Sequence, residues 1–371
     1  MLKIFSFFDG SVPGESWLPL FTPFWGMTEA ERTQKSPFSG RLDRYHAVAP
    51  LLFTLASRET ADVAVFPYGW ETCQRAEGQE AMRRFLAEVG PNGPPVALFE
   101  HGDLNRAIPA GIQYSFHHCL YRSRLPTGAE VVPPLIADPL GEWGKPWRPR
   151  TFSAVPVVSF RGVAPPLQTP SGPRRRKEIL RVLLYRLGLL KVSSPTVGYA
   201  PRVAAIQALR RSRTVRFRNT LLGASPVQWR CGYMVDGVID SSRDPSQLRQ
   251  AYLEDLDDSD YVLCARGQGN YSLRLFETLA MGRIPVVLDT DLVLPFEDEI
   301  DWRSLVVWIP AGGEHTIGER VAAFHQDLGP EQFLERQVRL REVFERWIEP
   351  AAFFNQWARR MKLRLRKEDR P

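Results

Sequence analysis

The residues best able to do chemistry together lie in one stretch, Asp260-Tyr261-Val262-Leu263-Cys264-Ala265-Arg266-Gly267-Gln268-Gly269-Asn270-Tyr271-Ser272-Leu273-Arg274-Leu275-Phe276-Glu277, which continues to Asp289. Arg266 and Arg274 can make bidentate hydrogen bonds to phosphate oxygens. Gly267 and Gly269 let the backbone approach a ligand, and a helix beginning near Ser272 would turn its N–H groups and positive dipole end toward an anion. Arg274 and Glu277 are three apart and therefore share a helix face. On that face a diphosphate would meet Arg274, and a ribose with two vicinal hydroxyls would meet Glu277. A lone Gly-x-Gly turn, or an exposed Arg–Glu pair worth under about 1 kcal/mol, would mean little. Together these features point to an anionic ligand.

The elements needed to position them can be read from the same residues. A short buried strand (Tyr261 to Cys264), a glycine-rich turn, a helix capped by Asn270 or Ser272, a glycine stop at Gly282 and a second buried strand (Ile284 to Leu288) make a complete βαβ unit. Upstream, strands are predicted at the first apolar run, at Ala61 to Pro67, at Pro95 to Phe99, around Gln113 to Leu120 and at Val131 to Ile136. Helical patterns cover Ala47 to Leu55 and Glu71 to Val89. This alternation predicts a parallel α/β sheet. A segment rich in Pro, Gly and Trp, Asp138 to Arg150, is expected to be a linker to a second series that opens with the strand Ala154 to Phe160 and Arg161-Gly162. After Pro330, the residues Phe333, Leu334, Val338, Leu340, Val343, Phe344 and Trp347 form an apolar stripe at helical spacing, expected to pack into a core.

A chain of 371 residues is long enough for two domains. Its 44% hydrophobic and 24% charged residues exclude a disordered chain, a collagen and a disulfide miniprotein. The net charge of +6 is uneven: from Ser171 to Arg218 thirteen Lys and Arg stand against one acid, Glu178, so this stretch is +12 and the remainder −6. Either a solvated helix face or a phosphate, lipid or polyanion surface accounts for such a run. Aromatics barely interleave it, so specific nucleic-acid binding by base stacking has little support. Cys73, Cys119, Cys231 and Cys264 lack metal-site spacing and are expected to be buried free thiols in a reducing compartment. No apolar run reaches the roughly 18 residues that span a bilayer. The expected location is the cytoplasm, with peripheral membrane contact as an option.

The segment Arg266 to Trp302 closely resembles the exostosin family of glycosyltransferases. The resemblance runs through Arg266-Gly267-x-Gly-x-x-Ser272-x-Arg274-x-x-Glu277-x-Leu279-Ala280-x-Gly282-Arg283-Ile284-Pro285-Val286-Val287, then Leu294-Pro295-Phe296-Glu297 and Ile300-Asp301-Trp302. A weaker likeness, to bacterial exostosin-like proteins, touches Tyr121-Arg122-Ser123-Arg124, Pro133 to Asp138 and Val157 to Gly162. The resemblance implies a GT-B architecture: two Rossmann-like domains facing a cleft. Residues 1–150 would bind the acceptor, 151–330 the UDP- or GDP-linked sugar donor, and 331–371 would form C-terminal helices crossing back to the first domain. It implies that Glu277 holds the donor ribose. Arg266 and Arg274, with Gly267, Asn270, Ser272 and the helix N-terminus, would take the diphosphate, and Arg161 and Gly162 would line the same crevice.

The implied activity is sugar transfer to a glycan or glycoconjugate in polysaccharide biosynthesis, with inversion. The base that takes the acceptor proton is expected just after the strand Pro95 to Phe99, at Asp103 first and His101 second, an Asx turn or helix cap being the structural alternative. His117-His118 is expected to be structural, because adjacent strand residues face opposite ways. Asp289-Thr290-Asp291 has the look of the acid pair that holds a divalent metal in the other large glycosyltransferase fold. A hard cation needs more oxygen ligands than this pair supplies, so no metal or other cofactor is expected to be required. The leaving-group charge then falls to the arginines and the helix dipole. Two other classes stay open: a catalytically inactive nucleotide-binding scaffold subunit, and a polyanion-binding protein working through Ser171 to Arg218.

Overall fold

The computed structural model describes residues 1–34, 37–103, 107–164, 180, 195–222, 245–267 and 269–368. The chain divides into two compact units, one made of residues 1–138, 293–295 and 345–371 and the other of residues 139–292 and 296–344. In chain order the main elements are β1 (Leu2–Phe5), α1 (Asp43–Leu52), β2 (Phe53–Leu55), β3 (Val63–Gly69), α2 (Ala76–Val89), β4 (Val96–Glu100), β5 (Tyr114–His117) and β6 (Ala129–Val131). There follow α3 (Pro139–Trp143), β7 (Val157–Val163), α4 (Pro195–Arg211), β8 (Arg216–Leu222), α5 (Pro245–Asp257), β9 (Tyr261–Cys264), α6 (Leu273–Ala280), β10 (Ile284–Leu288), β11 (Val307–Ile309), α7 (Ile317–Val343) and α8 (Pro350–Glu368).

The first unit is a six-stranded sheet in the order β2-β1-β3-β4-β5-β6, parallel throughout. Its strands are apolar on both faces because both are covered. Ala64, Phe66, Tyr68 and Leu98 pack with Phe85 and Met82 of α2, while Phe99 and Phe116 on the alternate positions meet Trp357 of α8. The helix predicted over Ala47 to Leu55 stops at Leu52, and Phe53–Leu55 instead pairs in parallel with β1, Leu2 opposite Phe53. The one predicted over Glu71 to Val89 is a 3₁₀ turn, Trp70–Gln74, followed by α2.

The second unit is a five-stranded parallel sheet in the order β11-β10-β9-β7-β8. Asp260 fixes the start of β9 beside β7, since its carboxylate accepts from the Val157 amide at 2.8 Å and from Arg150 at 2.7 Å. The stretch expected as a linker belongs to this unit. It carries α3, and Trp147 donates its indole N–H to the Met281 carbonyl at 3.1 Å. The division therefore falls at Pro139 rather than at residue 151. Residues 331–344 stay with the second unit, and only 345–371 join the first. Of the predicted stripe, Phe333, Leu340, Val343 and Phe344 are buried, but Leu334 and Val338, each one residue past a buried position (Phe333 and Gln337), are turned about 100° from it and face solvent. Cys73, Cys119 and Cys264 are buried and in no disulfide, while Cys231 and residues 171–179 and 181–194 of the basic run lie outside the described residues.

Candidate functional site

The second sheet reverses its strand order between β7 and β9: β8 lies to one side, β10 and β11 to the other. Open α/β sheets bind ligands outside the carboxyl ends of the strands at such a switch point. Here β7 ends in Arg161-Gly162-Val163, and β9 runs out through Ala265-Arg266-Gly267 toward the N-terminus of α6. Arg161, Gly162, Arg266, Gly267 and the start of α6 thus lie at the carboxyl ends of these two strands.

Arg274, in the first turn of α6, reaches back to β7. Its guanidinium donates to the Arg161 carbonyl and lies over the Phe160 ring, 4.5 Å from the centroid. Among the described residues no carboxylate lies within ion-pair distance of it. Gly162 makes this approach possible: a Cβ there would sit 2.9 Å from the Arg274 guanidinium and 3.4 Å from Phe160, at a φ of +153° that L side chains rarely adopt. The Arg161 side chain is committed elsewhere, to Asp255 of α5 at 2.6 Å, so what Arg161 offers Arg274 is its backbone oxygen.

Glu277, one turn further along α6, is only 3% exposed. Arg249 of α5 donates to one of its oxygens at 2.5 Å and the Tyr252 hydroxyl to the other at 2.6 Å. Arg249 also holds Glu142 of α3 at 2.9 Å. Burial opposes charge on Arg249, but the carboxylates of Glu277 and Glu142 outweigh it and raise its pKa. Burial and then the Glu277 charge push the Tyr252 phenol well above its ordinary range, which keeps it a donor. Arg274 lies 5.8 Å from the Tyr252 centroid, so Arg274 and Glu277 do share one face, with Tyr252 between them. Each carboxylate oxygen has a second lone pair with which to meet a hydroxyl.

The glycine-rich turn is braced from two sides. Arg202 of α4, buried and stacked 5.7 Å from the Phe160 centroid, donates to the carbonyls of Ala265 at 3.1 Å and Arg266 at 2.5 Å. The sequence does not single out this residue, because it lies within the basic run, where an arginine is expected to be solvated or polyanion-facing. Asn270 is buried and accepts from the Thr290 hydroxyl at 2.8 Å, which ties the turn to the loop after β10. Ser272 occupies the N-cap position of α6 without a side-chain cap bond. A Cβ at Gly267 would meet only ordinary contact, 3.8 Å to Arg202, so the protein's own packing does not require glycine there. Arg266 is buried, and Gln268 lies outside the described residues. Asp289 accepts from the Asp291 amide at 3.0 Å and from the Trp308 indole at 3.1 Å, an Asx turn closed on itself.

In the first unit, His101 and Asp103 follow β4 as expected. Asp103 is exposed; His101 is half-buried, with its amide donating to Glu71 at 3.3 Å. The two adjacent histidines do part. His117 is buried against Glu100 at 3.1 Å, whereas His118 stacks on His101, with centroids 4.9 Å apart and rings inclined by 22°. His118 therefore accompanies one of the residues proposed as base, which the alternation rule alone did not reveal. Burial lowers the pKa of both, assisted for His118 by the charge of its neighbour His101, so that the pair is held neutral.

Fold and site together define a class: a parallel α/β unit with arginines and a helix N-terminus gathered at its switch point. Residues 224–322 match the Exostosin GT47 domain. A probable glucuronosyltransferase GUT1 of Oryza sativa subsp. japonica is 40% identical over 60 residues, which is 16% of this chain and 14% of the relative. A probable beta-1,4-xylosyltransferase IRX10 of Arabidopsis thaliana is 40% identical over 58 residues, again 16% and 14%. The chain thus spans about one-seventh (14%) of the length of these curated relatives, which are plant proteins rather than bacterial ones. Among solved structures, a glycosyltransferase from Rickettsia africae ESF-5 aligns over 91% of this chain and 83% of its own, at 9% identity and a TM-score of 0.38.

Proposed function

We propose that this chain is a glycosyltransferase that moves a sugar from a nucleoside diphosphate donor to a glycan or glycoconjugate acceptor in polysaccharide synthesis. The observation that carries this reading is the placement of Arg274 and Glu277 on one face of α6 at the β7/β9 switch point, within the residues that match the Exostosin GT47 domain. Arg274, supported by the arginine-braced turn at Arg266, takes the diphosphate, and Glu277 accepts from the ribose hydroxyls. The acceptor oxygen attacks the anomeric carbon as the bond from that carbon to the diphosphate breaks. The nucleoside diphosphate leaves with the bonding pair, and its charge is met by the guanidinium groups and the dipole of α6.

His101 and Asp103 are proposed for the acceptor proton, and inversion is the proposed stereochemistry. In this scheme no metal is required, and the reaction is cytoplasmic. No described helix is long and apolar enough to cross a membrane. A thermal-shift panel of UDP, GDP and their common sugars tests the proposal, since a ligand that binds only the folded form raises its stability. A rise with one nucleotide family, followed by release of that nucleotide when acceptor is added, is the expected result. No shift with any of them would contradict it.

A further inference from the structure

The first unit carries a surface that sugar transfer does not use. Helices α1 and α8 pack side by side through Tyr45 and Phe354, whose rings stack 4.1 Å apart, and their outer faces form an open trough lined by Leu51, Ala358, Arg359, Lys362, Leu363 and Arg366 among others. Among the described residues no acidic side chain lines it. Leu51 is 75% exposed and Leu363 47%, whereas Tyr45 and Ala49 of α1 and Phe353, Phe354, Trp357 and Met361 of α8 are buried.

The cations are sorted by helical position. Between Arg359 and Glu368, α8 carries six Lys and Arg against one acid. Arg360 and Arg364 turn to Glu130 of β6. Arg359, Lys362 and Arg366, spaced three and four apart, share the opposite face and border the leucines. Cations in the last turn of a helix complement its dipole, which accounts for Arg366 but not for the exposed leucines beside it.

We propose that this trough is a docking surface for an anionic phospholipid bilayer. Leucines ask for an apolar partner and the flanking ammonium and guanidinium groups for an anionic one. A bilayer with acidic headgroups supplies both in one plane, with the long basic side chains snorkelling to the headgroups. Charge argues against a second copy of the chain across a two-fold axis, because like-charged faces repel. Among the described residues the lining has no aromatic side chain to stack nucleic-acid bases.

The test is co-sedimentation of the full chain with vesicles of phosphatidylcholine alone, and with vesicles of phosphatidylcholine and phosphatidylglycerol in equal parts. The chain is expected to bind the anionic vesicles, more weakly as salt rises. Lys362→Glu with Arg366→Glu should weaken that binding by roughly 30-fold or more. Leu51→Asp with Leu363→Asp should also weaken it, at low salt as well. All four positions lie on the trough surface, so circular dichroism should be unchanged, and Arg83→Glu on α2 serves as a control with no effect. No binding to anionic vesicles, equal binding to neutral ones, or unaltered binding by both trough variants would overturn the proposal. So would a loss of binding caused by reversing Arg174 to Arg176 while the trough variants still bind.

Discussion

The guanidinium of Arg249 donates to Glu277 at 2.5 Å inside a buried cluster that Glu142 and Tyr252 complete. Glu277 is therefore held in one orientation by two donors before any ligand arrives. Removing one partner of a buried ion pair leaves the other charge uncompensated, at a cost of about 3–5 kcal/mol. Arg249→Met should lower stability by an amount of that order in urea unfolding, and Arg249→Lys, which keeps the charge without the fork, should recover only part of it. A midpoint unchanged by Arg249→Met would show that the cluster contributes nothing.

Gly162 controls where Arg274 lies. The Cβ of Gly162→Ala would meet the far end of a flexible side chain at 2.9 Å, so Arg274 gives way rather than the sheet. The expected cost is about 1–3 kcal/mol of backbone strain, with a guanidinium displaced from its place over Phe160. Calorimetric titration should find nucleoside diphosphate affinity reduced in a protein that remains folded. Full affinity would show that the position of Arg274 is unimportant.

Stability should depend on pH through the stacked histidines. Burial lowers the pKa of His101 and His118 in the folded protein, so the unfolded chain binds more protons once pH drops below the ordinary value of 6.5. Their contribution is present above that value and is lost as pH falls from it toward the folded pKa. The urea midpoint should fall between about pH 7 and pH 5, and His118→Gln should make that fall shallower. An identical slope in the variant would assign the pH dependence to other groups.

Much of this was legible in the residues. The βαβ unit around α6 could be read because its signals are local: a buried apolar run, paired glycines and a Gly282 stop whose φ is +62°. What could not be read depends on tertiary pairing. Phe53–Leu55 is apolar in a way that suits either a helix or an edge strand, and β1 decides. Arg202 and Arg249 gave no signal, since an arginine on a helix becomes inward-facing only when carbonyls or carboxylates from distant segments converge on it. Trp147 sits in a Pro- and Gly-rich stretch that reads as a linker, yet a Cβ on Gly282 would come within 2.4 Å of its indole nitrogen. The glycine that ends α6 is thus also the seat of that tryptophan.

The central claim is that the β7/β9 switch point binds a nucleoside diphosphate through Arg274. Arg274→Ala is a cleaner probe than Glu277→Ala, which would strip Arg249 of one of its two carboxylates. Losing a charge-assisted hydrogen bond costs about 1.5–3 kcal/mol, so calorimetry should show UDP or GDP binding the wild-type chain and binding Arg274→Ala roughly 10- to 100-fold more weakly, with the unliganded unfolding midpoint little changed. Equal affinity in the two proteins, or binding of neither nucleotide by the wild type, would contradict the assignment.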